Sequence, residues 1–224
     1  MPELPEVQTT IDGIRPYLVD KKILNCNISV KKLRWKIDKD ICKNLANSKI
    51  IDVSRRAKYI IISGKEFFLT IHLGMTGTLR IAQENDIKKK HDHFELRLNS
   101  GYMLRFNDPR KFGMIFFSKE SPLKDNRLFL SLGPEPLSED FNSDYLFKKS
   151  RKRNIAIKNL IMNTNIVVGV GNIYASEALF LAKIRPQKIS KKLTKKNCED
   201  LSKSIKKVLK RAIKKGGSSI NDYI

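Results

Sequence analysis

The chain has 224 residues, enough for one or two domains with a substantial core, and its hydrophobic fraction of 41% fits a folded globular protein. Its 45 Lys and Arg against 23 Asp and Glu leave a net charge of +22, an excess that repels itself in a compact state and is balanced most simply by a polyanion such as nucleic acid. No segment reaches the apolar length of a membrane span, and the acidic, proline-bearing start is not a signal peptide, so a cytoplasmic protein is expected.

The opening "MPELPEV" suits a helix start, with Pro5 in the first turn and Glu6 at the positive end of the dipole, but it leaves Pro2 and Glu3 unexplained. Val7, Ile11, Ile14 and Leu18 then recur at helical spacing, with Pro16 interrupting late. The pattern changes to short β-branched and aromatic runs: "IIDV", "KYIIIS", "EFFLTIHLG", "HFELRLNSGYMLRF" and "MIFF". "NSG" between the alternations Phe94, Leu96, Leu98 and Tyr102, Leu104, Phe106 signals a hairpin. A helix followed by a β-sandwich or barrel is therefore expected in the first half.

From about Leu137 the strand signal disappears. "DYLFKKSRKRNIAIKNLIM", "NIYASEALFLAKI" and "NCEDLSKSIKKVLKRAIKK" read as helices. In the last, Cys198, Leu201, Ile205, Val208, Ala212 and Ile213 form one apolar stripe opposite a lysine-rich face. "LGPEPLS", with its glycine and two prolines, reads as the linker. Cys26, Cys42 and Cys198 follow neither a disulfide framework nor a CxxC pattern, so reduced structural thiols are expected.

Several short stretches carry chemistry. In "VVGVGNIYASEAL" the third glycine of a dinucleotide fingerprint is replaced by Tyr174; the glycines lie instead between two helices, with Asn172 opening the second. Amides bared by glycine at a helix N-terminus make an anion site, and on this charge the expected anion is a DNA phosphate. In "RRAKY", read as a strand entrance, Arg56 and Lys58 point one way and Arg55 the other. "NDPRKFG" sets Arg110 and Phe112 beside a proline turn, a cation and an aromatic that could wedge into a base stack. "HLGMTG" exposes Met75 on a glycine-flanked turn. His91 and His93 of "HDHF" share a strand face; without a third ligand they read as a polar face, His91 being available to a phosphate.

Together "MPELPEV", "RRAKY", "HLGMTG", "HDHF", "DPRKFG", "LGPEPL" and "VGVGNIYASEAL", in this order along nearly the whole chain, resemble the formamidopyrimidine-DNA glycosylase family. The resemblance implies an α+β fold: a helix and β-sandwich in a catalytic domain over residues 1–131, then a helical domain over 132–224 with a helix-two-turn-helix motif. It implies excision of oxidised purines, 8-oxoguanine and formamidopyrimidines, and cleavage at the resulting abasic site. After removal of Met1, Pro2 would be the Schiff-base nucleophile, Glu3 the general acid/base and Lys58 the proton donor for β-elimination. His91, Arg110 and Arg153 would contact the DNA backbone, Asn172 a phosphate, and Met75, Arg110 and Phe112 would fill the gap left by the flipped base. The implied partner is double-stranded DNA carrying an oxidised base or abasic site, bound by a monomer.

The family continues beyond "GGSSINDYI" into a zinc finger of four cysteines. That finger is not in these residues, so no zinc or other cofactor is expected within them. Two other readings fit the same residues: a pyrimidine-preferring glycosylase of the endonuclease VIII type, and a DNA-binding protein for damaged or abasic DNA with lyase activity only or with none.

Overall fold

The computed structural model describes residues 2–217; Met1 and the part of "GGSSINDYI" from Ser218 onward lie outside them. Two compact units part at Asp125 and Asn126. By their contacts, Glu3–Pro5 belong to the second unit.

Helix α1 (Leu4–Leu18), which belongs to the first unit from Glu6 onward, carries Pro16 in its last turn as the sequence suggests. Two four-stranded antiparallel sheets follow. One has the order β1 (Ile23–Ile28), β6 (Asp92–Leu98), β7 (Tyr102–Asn107), β5 (Thr78–Gln83); the other runs β2 (Asp52–Arg56), β3 (Tyr59–Ser63), β4 (Phe68–His72), β8 (Met114–Ser118). A short helix, α2 (Ile41–Leu45), lies between β1 and β2 in the chain. The expected β6–β7 hairpin forms, with Gly101 at φ +81°, a conformation for which glycine carries no Cβ penalty.

Both sheets and α1 feed one core. Phe94, Leu96, Leu104 and Phe106 from one sheet join Ile60, Ile62, Leu69 and Ile71 from the other, with Val7, Ile11, Ile14 and Leu18 of α1. Polar side chains fasten the helix to β2: Arg15 donates to the Val53 carbonyl at 2.7 Å and pairs with Asp52 at 2.7 Å, and Arg55 Nε donates to Gln8 Oε1 at 3.0 Å.

The first unit ends in α3 (Pro122–Asp125); in the second, α4 (Arg127–Leu130) is followed by α5 (Ser143–Arg151), α6 (Ile157–Met162), α7 (Asn172–Leu181) and α8 (Lys195–Lys214), which supply its own core. Cys198, Leu201, Ile205, Val208 and Leu209 of α8 are buried, as its stripe requires, and Ala212 packs partly buried beside them. Thr194 and Asn197 close a reciprocal capping box at its start.

Three sequence-based expectations change. "LGPEPLS", read as the linker, lies within the second unit: Gly133 N–H donates to the Thr164 carbonyl at 2.8 Å and Val168 N–H to that of Pro134 at 3.2 Å. A Cβ on Gly133 would lie 2.6 Å from the Ile166 carbonyl oxygen, so the glycine is there for close packing rather than flexibility. Cys26 and Cys42 are not reduced thiols; they form a disulfide joining β1 to α2, while Cys198 is free and buried. The 16-residue separation hid that proximity, because the intervening turns fold α2 back onto β1. Finally, β1 and β5 escaped the reading, since the exposed Leu24, Asn25 and Asn27 and the charged Arg80 break their apolar alternation.

Candidate functional site

The residues around the N-terminus are built into the start of α7. Glu3 is 3% exposed and its carboxylate receives three main-chain donors: Gly171 N–H at 2.8 Å, Ile173 N–H at 2.9 Å and Tyr174 N–H at 3.4 Å. These are first-turn amides that the helix cannot use itself, and the positive end of its dipole favours the negative side chain. Two glycines make the room. Gly169, at φ +76°, would place a Cβ 2.6 Å from Leu4 Cδ1, and a Cβ on Gly171 would come within 2.3 Å of Glu3 Cδ. Leu4 N–H completes the seat by donating to the Gly169 carbonyl at 3.0 Å.

The expectation that these glycine-bared amides hold a DNA phosphate is thereby corrected: their anion is the chain's own Glu3. A carboxylate carried on the same chain outcompetes a diffusing anion because its effective concentration is far higher. Asn172 is exposed at the first position of α7, and its carbonyl accepts from Ser176 Oγ at 2.9 Å. Arg153 is exposed just beyond α5; its N–H donates to the Ser150 carbonyl at 3.1 Å and its carbonyl accepts from Lys191 N–H at 3.2 Å. The basic run before it ends the helix, so one of the segments read as helical is α5 and α6 with a break between them.

In the first unit Lys58 sits in the turn between β2 and β3, after Ala57 at φ +55°, rather than on a strand. The alternation expected for Arg55, Arg56 and Lys58 therefore stops at Arg56. Tyr59 and His72 are cross-strand partners with ring centroids 5.0 Å apart. Burial, aided by the positive charges of Lys58 and Arg34, lowers His72 to about 4. The neutral ring can thus accept, and its Nδ1 does so from Gly74 N–H at 3.0 Å. Burial raises the Tyr59 hydroxyl, with Arg34 opposing. Sequence reading passed over Arg34, one cation among several in "KKLRWK", and His72, which ends the apolar run "FFLTIH", because nothing local shows that the fold brings them to Tyr59.

Met75, Arg110 and Phe112 come from two loops, 73–77 between β4 and β5 and 108–113 between β7 and β8. The Arg110 guanidinium lies 4.8 Å from the Phe112 ring centroid, a cation–π distance. Met75 is 42% exposed and Phe112 44%, large apolar groups turned to solvent where burial would normally claim them.

His91 immediately precedes β6, its ring 6.0 Å from that of His93. His93 is buried rather than part of an open polar face, and its Nε2 lies 3.1 Å from the Asp108 carbonyl. Next to them Arg80 grips Asp92 through both nitrogens, with Nη1 2.7 Å from Oδ1. Burial would raise Asp92, but the hydrogen bonds from Arg80, Asn107 and the Lys89 amide outweigh it and hold the carboxyl at about 2. Among the described residues no group of three or more His, Cys, Asp or Glu is placed to hold a metal ion, and no helix is long and apolar enough to cross a membrane.

Comparison with known proteins agrees with this arrangement. Residues 1–115 match the model of the formamidopyrimidine-DNA glycosylase N-terminal domain, and residues 132–223 that of its H2TH domain. A formamidopyrimidine-DNA glycosylase of Haemophilus influenzae (strain PittEE) is 47% identical over 224 residues, 100% of this chain and 82% of that protein. One of Actinobacillus pleuropneumoniae serotype 5b (strain L20) is 48% identical over 225 residues, covering 100% and 81%. Among solved structures, the Lactococcus lactis enzyme non-covalently bound to DNA containing an AP site superposes with a TM-score of 0.90 at 34% identity, covering 96% of this chain and 83% of that one. A relative in complex with DNA containing carbocyclic 8-oxo-G gives 0.91 at 34%, covering 98% and 82%.

Proposed function

Because the chain belongs to the formamidopyrimidine-DNA glycosylase family, we propose that it excises oxidised purines from double-stranded DNA and cleaves the strand at the abasic site, using Pro2 as nucleophile. The observation that carries this reading is Glu3, an acid fixed by three main-chain donors in the position next to Pro2 in the chain. A surface carboxylate would need no such seat.

Once Met1 is removed, the secondary amine of Pro2 attacks C1′ of the damaged nucleotide and the base leaves with the electron pair of the glycosidic bond. Glu3 takes the proton that the attacking nitrogen loses and passes it to the sugar ring oxygen as the ring opens, water protonates the departing base, and the nitrogen becomes an iminium, cationic without gaining a proton. That electron sink acidifies C2′; loss of its proton forms the C1′–C2′ enamine, which expels the 3′ phosphate. Lys58 supplies the accompanying proton. Met75, Arg110 and Phe112 fill the void left by the everted base, Arg110 facing the orphaned partner, while His91, Arg153 and Asn172 hold the backbone.

The relatives solved with abasic and 8-oxo-G DNA support these substrates. Domain limits of 1–131 and 132–224 and a cytoplasmic location accord with this reading. The family's zinc belongs to its finger; the described residues offer it no ligand set, and no step runs through it.

Borohydride trapping on an abasic duplex tests the reading. The mature chain is expected to become covalently joined to DNA, and a chain retaining an extension before Pro2 is not. Equal trapping by both would remove Pro2 as nucleophile; trapping by neither would leave a binding protein.

A further inference from the structure

The two loops that carry Met75 and the Arg110–Phe112 pair meet at a residue for which the proposed chemistry has no use. Asp108 is fully buried, at 0% exposure. Its Oδ1 accepts from the Thr76 hydroxyl at 3.0 Å, next to Met75, and its Oδ2 accepts from Gly113 N–H at 2.7 Å, next to Phe112. Its main chain is tied as well: Asp108 N–H donates to the His91 carbonyl at 3.0 Å, and its carbonyl accepts from Lys111 N–H at 3.2 Å.

The loops also touch through their backbones. Gly74, at φ +68°, would set a Cβ 2.5 Å from Gly113 N and 2.5 Å from the Phe112 carbonyl carbon. Gly113 is equally confined, since its Cβ would lie 2.6 Å from Phe106 Cζ and 2.9 Å from Asp108 Oδ2. A buried carboxylate is expensive, and both of its side-chain donors are neutral. An apolar residue of similar volume would fill the space without that cost. What the carboxylate adds is a fixed spacing between two loops: Oδ1 reaches across to Thr76 in one, while Oδ2 holds Gly113 at the far end of its own.

We propose that Asp108 is a positioning residue that locks the 73–77 and 108–113 loops into one rigid wedge, so that Met75, Arg110 and Phe112 enter the duplex together. This rests on the gap-filling role given to those three residues. Loops that hold their bound spacing beforehand lose less conformational freedom on binding, and that saving is the gain in affinity. The wedge matters only where a base-pair gap must be filled. A single strand has none.

The test is therefore binding rather than catalysis, measured by fluorescence anisotropy on a duplex with a tetrahydrofuran abasic analogue and on the same strand alone. Asp108→Asn keeps the shape but has only one acceptor oxygen for two donors. It is expected to weaken duplex binding about tenfold, the scale of one buried hydrogen bond to a charged group, while single-strand binding stays within about twofold. In the Phe112→Ala background the same change should cost little, because Asp108 acts through the wedge. Thr76→Val cuts one loop-to-loop bond at an exposed position and should reproduce the duplex-specific loss, with Thr76→Ser restoring binding; this pair carries the test if Asp108→Asn does not fold. Equal losses on both DNAs, unchanged duplex binding, or full additivity with Phe112→Ala would overturn the proposal. Failure to trap with borohydride would overturn the lyase reading and leave these binding ratios readable.

Discussion

Glu3 and Gly171 are in contact across 168 residues of sequence: the amide of one donates to the carboxylate of the other at 2.8 Å, and the space between them admits no side-chain carbon. Gly171 has φ −112° and ψ −160°, extended backbone open to any residue, so its requirement is room rather than conformation. Gly171→Ala is expected to push Glu3 off the α7 amides. Overpacking of this kind costs about 1–3 kcal/mol of stability. The larger effect should fall on base excision, by more than about tenfold, since a general acid works only within hydrogen-bond reach. Single-turnover excision measured beside denaturant unfolding separates the two; excision at the parental rate would show that the seat of Glu3 is not catalytic.

His72 gives a pH dependence whose sign follows from its environment. The folded protein holds the ring neutral down to about 4, whereas the unfolded chain protonates it near the ordinary 6.5. The unfolded state therefore binds more protons between those values, and folding stability falls as pH drops from about 6.5 to about 4. Protonation also converts Nδ1 from acceptor to donor and removes its bond with Gly74. His72→Asn, which keeps an acceptor but cannot titrate, should flatten this part of the stability profile. A variant that loses stability as steeply as the parent over the same interval would exclude His72 as the source.

Asp92 and Arg80 form an ion pair whose carboxylate side chain is fully enclosed and whose guanidinium is 17% exposed. Asp92→Asn leaves the arginine desolvated and uncompensated, at an expected cost of about 3 kcal/mol. Replacing both, as Arg80→Met with Asp92→Leu, should cost less than the single change, because desolvation disappears with the charges. Urea unfolding of the three proteins decides this; a double variant less stable than Asp92→Asn would mean that the pair contributes net attraction.

The fold was legible where one periodicity ran unbroken, as in Val7 to Leu18 of α1, the β6–β7 hairpin and the stripe of α8. It was obscured where tertiary partners override the local pattern. β1 exposes Leu24, and β5 carries Arg80, a charge whose partner Asp92 lies on another strand. The motifs singled out the loops of Met75 and Phe112 but not what joins them. Asp108 stands in a proline turn where aspartate is ordinary, and its donors are a hydroxyl 32 residues away and a backbone amide. The partner of the α7 amides was equally hidden: glycines at a helix start announce an anion site, and nothing local says that Glu3 is the anion.

Arg153 offers a test in which charge acts without chemistry. Its main chain is pinned on both sides, to Ser150 and Lys191, so the exposed guanidinium projects from a fixed base. A protein of net charge +22 gains much of its DNA affinity from counterion release, and each phosphate contact adds about 0.9 to the slope of log affinity against log salt. Arg153→Ala should therefore lower that slope by roughly one and weaken undamaged and abasic duplexes alike, because phosphates carry no sequence or lesion information. Arg153→Lys should keep the slope while losing some affinity, the charge surviving but not the forked donor geometry. Lys49 makes the control: it already pairs with Asp20 at 2.7 Å, so Lys49→Ala should leave the slope near the parental value. Titrations from low to moderate salt read all three. A slope unchanged by Arg153→Ala would remove this residue from the DNA interface, and a loss confined to abasic DNA would make it a lesion reader instead.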